Sequence, residues 1–393
     1  MRQLRITLLT TSDFPYRGAA ESFVRQLTIG LKNNKASIEI IRFWGDRFSN
    51  INDVDIFCSN YLFKKPFKNA FSKIFETICQ ILFLPLFFIK IKLFKKSDVL
   101  LIYGLDVSYI LVPVFFLSKA FGIKCFRIIT EIYLPYKYAY CWWRKPLILF
   151  YNSQLMYFDR YFDGIIVLTK RLYQICVANK VRKENLTLIP HFIDVDNVNK
   201  QIGDDQNSDT DRICYCGNPT YENGILDLVD AYLIVSRKKT NTELVIIGDI
   251  KPEIYDKIAN KITCKANITF TGLITKLEVN RYIQKCTVMV NPRKSGIHAE
   301  TGFPTKLGEY FANKKPVIST KVGDLLSYFK DKRELIFANP DDPISLSEAI
   351  CYVLNNKAEA QAIALNGYNW ASDYLDYNKN SKKLLIFLGS KLK

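Results

Sequence analysis

Between Gly302 and Thr320 the chain reads GFPTKLGEYFANKKPVIST, and this run holds residue types suited to a phosphorylated ligand. Gly302 lets the backbone come close to a bound group, and Pro304 suits the first turn of a helix, where a missing N–H costs nothing. The free N–H groups near Thr305 and Lys306 would then sit at the positive end of that helix, which favours phosphate. Lys306 adds a formal charge. Glu309, about one helical turn further on, can accept hydrogen bonds from two vicinal hydroxyls of a ribose. Together these residues match a nucleoside diphosphate; for Glu309 in isolation the plain alternative is a solvated carboxylate on an ordinary helix.

Other candidates are more isolated. Glu131 follows an apolar strand and precedes the aromatic-rich IYLPYKYAYCWW, so it is either an acceptor-orienting group or base, or a loop carboxylate paired with Lys137 or Arg144. His298 stands in the loop before the phosphate-binding helix, as a substrate contact or a solvated loop histidine, and His191 suits a turn between two halves of the chain. Asp194 and Asp196 form an Asp-x-Asp pattern, but they lie in a turn ahead of a polar stretch, and no metal is expected.

The elements that must position these groups alternate as βαβ units do. In the front half the strands are expected at Ile6–Leu9, Ile38–Phe43, Val99–Tyr103, Cys125–Ile129 and Gly164–Leu168, with a helix at Glu21–Leu31 that carries Phe23, Leu27 and Leu31 on one face. A polar stretch near Asn197–Asp211 reads as a linker. The alternation restarts with Arg212–Cys216, a helix at Ile225–Ser236, then Leu244–Ile247, Ile268–Phe270, Val288–Asn291, a helix from about Lys306, and Val317–Ser319. The expectation is two doubly wound, Rossmann-like α/β domains facing across a cleft, with ligands at the carboxyl ends of the strands. The boundaries are 1–190, an interdomain turn and linker at 191–211, 212–370, and a C-terminal helix or tail at 371–393.

Composition narrows the function classes. A chain of 393 residues, 49% of them hydrophobic, suffices for two cores. Its ten cysteines show no CxxC pair or zinc spacing, so they read as reduced, packed thiols of a cytosolic protein. The N-terminus reads as a first strand rather than a secretory signal. The most apolar run, ILFLPLFFI at 81–89, is far shorter than the ~20 residues of a spanning helix. The net charge of +17 is uneven, with +15 in residues 1–190 and +2 in the remainder. Lys64, Lys65, Lys68 and Lys73 precede the apolar run, and Lys90, Lys92, Lys95 and Lys96 follow it. That arrangement favours anionic lipid headgroups over nucleic acid, the alternative being a basic solvated surface around a core helix.

Taken in order, several segments resemble the retaining glycosyltransferases of the GT-B fold in the large family numbered four. RGAAESFVRQLTIGL (17–31) resembles that family's glycine-rich loop and first helix; SDVLLIYG (97–104), FDGIIVLTKRL (162–172) and LIPHFIDVD (188–196) resemble its next front-half segments. CYCGNPTYENGILDLVDAY (214–232), VIIGD (245–249) and ITFTGLIT (268–275) resemble its nucleotide-side strands, and GFPTKLGEY falls where it carries two glutamates with seven residues between them. The resemblance implies that Glu309 binds the nucleotide ribose, that Gly302, Phe303, Thr305 and Lys306 serve phosphate and sugar, and that Gly18 belongs to the glycine-rich loop. It departs in three places. The first glutamate falls at Thr301, with Glu300 one residue earlier, as in a subgroup with an FPxK sequence. The usual arginine and lysine align with Asn218 and Asn223, leaving Arg293, Lys294 and Lys306 as the nearest cations. A front-domain histidine is replaced by Thr130 and Glu131.

What the resemblance implies is transfer of a sugar, with retention, from a nucleoside-diphosphate sugar to a hydroxyl of a lipid-linked saccharide. The expected setting is cell-envelope polysaccharide synthesis, without metal, and the basic front half places it at the inner face of a membrane; Glu300 and Lys306, with Glu131 read from its place after an apolar strand, are the catalytic candidates. A non-catalytic GT-B partner subunit and a GT-B sugar-nucleotide epimerase are the competing readings.

Overall fold

The computed structural model describes residues 3–10, 19–44, 58–63, 82–94, 96–104, 108–132, 157–195, 210–262 and 266–392. The chain divides into two compact units, one formed by Met1–Phe192 with Tyr377–Lys393 and the other by Ile193–Asp376.

The first unit is built on strands β1 (Arg5–Thr10), β2 (Ser37–Trp44), β3 (Cys58–Phe63), β4 (Val99–Tyr103), β5 (Lys124–Ile129), β6 (Gly164–Val167) and β7 (Leu186–Leu188). They form one parallel sheet in the order β3-β2-β1-β4-β5-β6-β7. A parallel strand covered on both faces must be apolar throughout, and every residue of VLLIY in β4 is buried. The helices are α1 (Ala19–Asn33), α2 (82–89, running into a π-helical turn at Lys90–Phe94), α3 (Ser108–Ala120) and α4 (Lys170–Ala178). Phe23, Val24, Leu27 and Leu31 of α1 recur at helical spacing and are fully buried under the sheet. On α2, Leu84, Phe87, Phe88 and Ile91 enter the core, while Leu82, Phe83, Leu86, Lys90, Lys92 and Leu93 are exposed.

The second unit repeats the scheme with β8 (Asp211–Cys216), β9 (Thr242–Ile247), β10 (Ile268–Gly272), β11 (Val288–Asn291), β12 (Val317–Thr320) and β13 (Ile336–Ala338), all parallel in the order β10-β9-β8-β11-β12-β13. Its helices are α5 (Ile225–Lys238), α6 (Pro252–Ala259), α7 (Lys276–Lys285), α8 (Ile297–Thr301), α9 (Thr305–Ala312), α10 (Leu325–Tyr328), α11 (Pro343–Asn355) and α12 (Lys357–Tyr374). Local chemistry sets several of their starts: Thr275 and Glu278 form a reciprocal capping box on α7, and the Asp342 carboxylate accepts from two amides of α11.

The last helix, α13 (Tyr377–Ser390), belongs to the first unit. It lies so close to α1 that a methyl group at Gly30 would stand 2.2 Å from Ser381 Oγ. Its Leu384 and Leu388 join the first unit's core, and Asn380 donates to the His191 carbonyl at 3.0 Å. The segment read as a terminal helix or tail is thus a packed helix.

The expected strands are present with ends shifted by a residue or so, and β3, β7 and β13 are additions. The expected linker falls largely in 196–209, outside the described residues. The reading of all cysteines as reduced thiols needs correction, because Cys214 on β8 and Cys286 just before β11 are joined as a disulfide. They stand on neighbouring elements that a sequence scan for short spacings does not bring together. Cys125, Cys176, Cys216 and Cys351 are free thiols. Among the described residues no helix is long and apolar enough to cross a membrane, and no group of His, Cys, Asp or Glu is arranged to hold a metal.

Candidate functional site

In the second sheet the chain lays β9 and β10 on one side of β8 and β11 to β13 on the other. The direction of winding therefore reverses between β8 and β11, and the carboxyl ends of such a pair diverge to leave a crevice for ligands. Around this point the loops approach backbone to backbone. Gly224 has φ +72°, and a methyl group there would stand 1.8 Å from the Pro292 carbonyl oxygen after β11. Gly248, at φ +147° after β9, would place one 2.0 Å from the Gly217 carbonyl after β8. Only glycine fits either position.

Helix α9 is locked against the same edge. Tyr310 Oη donates to the Cys216 carbonyl at 3.0 Å, and the Cys216 N–H donates back to it at 2.9 Å. Leu307 and Phe311 are fully buried, and Gly308 faces Ile193 and Leu375 so closely that a methyl group would come within 2.8 Å of the Ile193 side chain. Pro304 is the N-cap residue rather than the first helical one, and no side chain caps the helix start. The Leu307 amide donates to the Pro304 carbonyl at 3.0 Å, and the Thr305 and Lys306 amides stand before it at the positive end of the helix, which favours an anion.

Lys306 is the central charge of this edge. Its Nζ donates to Tyr215 Oη at 3.0 Å and lies 4.1 Å from that ring's centre, while Tyr215 Oη in turn donates to the Asn218 carbonyl at 2.6 Å. A methyl group on Gly217 would stand 3.3 Å from Nζ, which brings the ammonium to the end of β8. Burial, reinforced by the nearby Arg293 guanidinium and opposed by Cys216 and Glu309, lowers the Lys306 pKa to about 7. Burial also raises the Tyr215 phenol, so it stays protonated. Arg293 is only 5% exposed; its Nη1 donates to the Gly302 carbonyl at 3.4 Å, and its own carbonyl accepts from Thr320 Oγ1 at 2.6 Å. Two cations thus converge on the switch point beside uncapped amides.

The other sequence candidates divide around this centre. Gly302, Thr305 and Glu309 lie on the α8–α9 connection and α9 itself, and Glu309 is close enough to bear electrostatically on Lys306 and Cys216. Gly302 has φ −96°, an ordinary conformation. The Phe303 ring is packed near Tyr328 and Trp370, which leaves only its backbone to a ligand. Lys294 is held by carboxylates, its Nζ 2.7 Å from Asp227 and 2.9 Å from Asp341, and these bonds raise its pKa against the burial that lowers it. Glu300 is exposed on α8, whereas Thr301 is buried with its hydroxyl donating to the Ile297 carbonyl at 2.8 Å. His298 is half-buried on the same short helix.

Asn218 and Asn223 brace the loop after β8 through an Nδ2 to carbonyl bond of 2.9 Å. In the first unit, Glu131 is half-buried just past the carboxyl end of β5, and Lys137 and Arg144 lie outside the described residues, as do Gly18 and Asp196. His191 is buried against Phe23, and burial lowers its pKa to about 4. Sequence reasoning missed Tyr215, Gly217, Gly224, Gly248 and Tyr310. The two tyrosines look like core residues of a strand and a helix, and only their hydroxyl partners reveal the role; the glycines stand in the turn after each strand, a signal that was present.

The chain is thus an α/β protein of two doubly wound units, the second of which carries Lys306 and Arg293 at its switch point. Residues 210–356 match the family model described as "Glycosyl transferases group 1". Over that segment the chain is similar to group 1 glycosyltransferases, and the chain as a whole has the GT-B fold. It is 29% identical over 156 residues to the uncharacterized glycosyltransferase MJ1178 of Methanocaldococcus jannaschii, covering 39% of this chain and 41% of that one. It is 27% identical over 170 residues to the putative teichuronic acid biosynthesis glycosyltransferase TuaC of Bacillus subtilis, covering 43% of this chain and 40% of the relative. The match therefore spans about two fifths of the length of each curated relative. Over 99% of this chain and 100% of the other, the fold is similar to Anabaena Alr3699/HepE, solved in complex with UDP and glucose, with TM-score 0.72 and 14% identity.

Proposed function

We propose that the protein transfers a sugar, with retention of anomeric configuration, from a nucleoside-diphosphate sugar to a hydroxyl of a lipid-linked saccharide in cell-envelope polysaccharide synthesis. The observation that carries this reading is the Lys306 ammonium at the end of β8, beside Arg293 and the uncapped start of α9. The diphosphate lies on the amides of Thr305 and Lys306 with Lys306 as counter-charge, and Glu309 accepts from the ribose hydroxyls. Because fixed dipoles and a cation stabilise the leaving diphosphate, no divalent metal is required. The anomeric carbon–oxygen bond to the β-phosphate breaks as the acceptor oxygen bonds to carbon on the same face, and the acceptor proton passes to the departing phosphate. Glu300 serves the sugar, and Glu131 orients the acceptor.

The acceptor class rests on the teichuronic acid role in the name of TuaC. The +15 charge of residues 1–190 and the exposed apolar face of α2 beside Lys90, Lys92 and Lys96 support docking on the inner face of an anionic membrane. Of the segment assigned to docking, residues 64–81 and Lys95 lie outside the described residues.

A thermal-shift screen of nucleotide sugars, repeated on Glu309→Ala, tests the donor site. Donor-specific stabilisation of the parent that is lost in a folded variant supports it; equal donor affinity in the two proteins removes the ribose assignment. Nucleotide binding with no transfer to any membrane extract would favour the partner-subunit reading, to which Thr301, Asn218 and Asn223 lend weight.

A further inference from the structure

At the amino-terminal edge of the first sheet lies a surface pocket of about 450 Å³, lined by Lys119, Lys124, Arg160, Arg182 and Lys391, with Asp163 as the one carboxylate among its described lining residues. The strands that open here are β5, β6 and β7, whose first residues are Lys124, Gly164 and Leu186. It therefore stands at the opposite end of the strands from their ligand-binding carboxyl ends.

The charge of the pocket is left over after its internal pairing. Asp163 is held by Lys119 at 2.8 Å, Lys124 at 3.3 Å and the Cys125 N–H at 2.9 Å. Arg160 is stacked on aromatic rings, 3.6 Å from the centre of Tyr157 and 4.7 Å from that of Tyr161, and Lys391 donates to the neutral Asn185 Oδ1 at 3.0 Å. Arg182 pairs at the surface with Glu184 at 3.4 Å. Five cations against one lining carboxylate make a site for a doubly or multiply charged anion, such as a phosphate ester.

The rim identifies where that anion resides. Phe116, one turn before Lys119 on α3, is 60% exposed, and Tyr161 is 48% exposed. Phe158 joins them, with ring centres 6.3 Å from Phe116 and 5.7 Å from Tyr161. Helix α2 runs alongside: Phe88 stacks on Phe121 at 5.9 Å, and Lys92 Nζ reaches the Gly122 carbonyl at 3.4 Å. Its outer face shows Leu82, Phe83, Leu86 and Leu93 at 56–69% exposure. A basic pocket edged by exposed aromatic side chains, with the exposed apolar face of α2 on a neighbouring helix, fits a group that is charged at one end and apolar at the other.

We propose that this pocket binds the phosphate headgroup of an anionic membrane lipid, while Phe116, Tyr161 and the outer face of α2 enter the adjoining headgroup and acyl boundary. The proposal rests on the membrane reading above and gives it a specific headgroup site. It also orients the first unit, with the amino ends of β5 to β7 toward the bilayer.

The test is flotation of the full-length protein with phosphatidylcholine vesicles, with and without phosphatidylglycerol. It compares the parent, the pocket variant Arg160→Gln/Arg182→Gln/Lys391→Gln, the face variant Phe83→Ser/Leu86→Ser, and a charge-matched control, Arg237→Gln/Lys238→Gln/Lys251→Gln, in the second unit. The parent should prefer phosphatidylglycerol vesicles. At about fivefold per cation, the pocket variant should lose about a hundredfold in affinity for them while the control loses far less. UDP binding should be the same in all four, which reports folding and keeps the donor-site reading separate. A pocket variant that binds like the control overturns the headgroup site while leaving membrane docking through α2 intact. Parent protein that ignores both vesicles overturns docking and headgroup site together. Full release by millimolar glycerol phosphate would assign the pocket to a free phosphate ester instead of a lipid and overturn the proposal.

Discussion

A lysine with a pKa of about 7 should couple nucleotide binding to a proton. In the free protein half of Lys306 carries its proton at pH 7, and about one part in a hundred does at pH 9. If the diphosphate binds only the ammonium form, affinity should fall about fiftyfold across that interval, or ~2.3 kcal/mol. Phosphate ionisation, with a second pKa of about 6, is largely complete at pH 7 and contributes little to the trend. The assay is titration calorimetry with UDP at each half unit of pH, in two buffers of different ionisation enthalpy; near pH 8 about nine tenths of a proton should be taken up per UDP bound. Lys306→Arg, which stays charged, should bind with a flat profile, and Lys306→Gln should bind weakly and also flatly. The free protein should move the opposite way. The unfolded chain holds this proton up to about pH 10.4 and the folded one to about 7, so stability from this group rises with pH through that window. Parent affinity that is constant from pH 7 to 9, or UDP binding unaffected by Lys306→Gln, would refute the placement of the diphosphate on Lys306.

His191 has a folded pKa of about 4 against an ordinary value of 6.5, so stability should fall as pH drops from 6.5 to 4, by up to ~3 kcal/mol. Urea unfolding of the parent and His191→Gln across that range should show the slope only in the parent. Gly224→Ala should destabilise the second unit by more than ~3 kcal/mol, since the added methyl collides with the Pro292 carbonyl at positive φ; calorimetry should show the lower unfolding transition. Tyr310→Phe removes both hydrogen bonds that fix α9 to Cys216, leaving a buried N–H and carbonyl unsatisfied. It should cost ~2 kcal/mol by denaturant unfolding and weaken UDP binding by misplacing the helix start.

The two-unit fold was legible because buried parallel strands are apolar runs at βαβ spacing, as VLLIY and TELVII show. The edge strand β13 was missed because Ile336–Ala338 is too short to show a period. At the site, Pro304, Thr305, Lys306 and Glu309 could be read as a helix start with a charge, since those signals are local. Tyr215 could not, because its role depends on Lys306, 91 residues away, arriving over its ring. Arg293 and Lys294 are adjacent and equally basic on paper, yet one is buried near Gly302 and the other is held between Asp227 and Asp341. Partners from α5 and the segment ahead of α11 decide that difference, and spacing does not reveal them. The disulfide was hidden for the same reason, its cysteines lying 72 residues apart.

In the function proposed, the second unit presents a sugar nucleotide for transfer with retention and without metal. The most direct measurement is transfer from a panel of nucleotide sugars to membrane extract by purified protein in EDTA, with NMR of the new glycosidic bond. The account predicts a product that keeps the donor's anomeric configuration, formed at an undiminished rate under chelation and nearly abolished in Glu309→Ala. Inversion at the anomeric carbon, or activity that disappears in EDTA and returns only with Mg²⁺ or Mn²⁺, would contradict it.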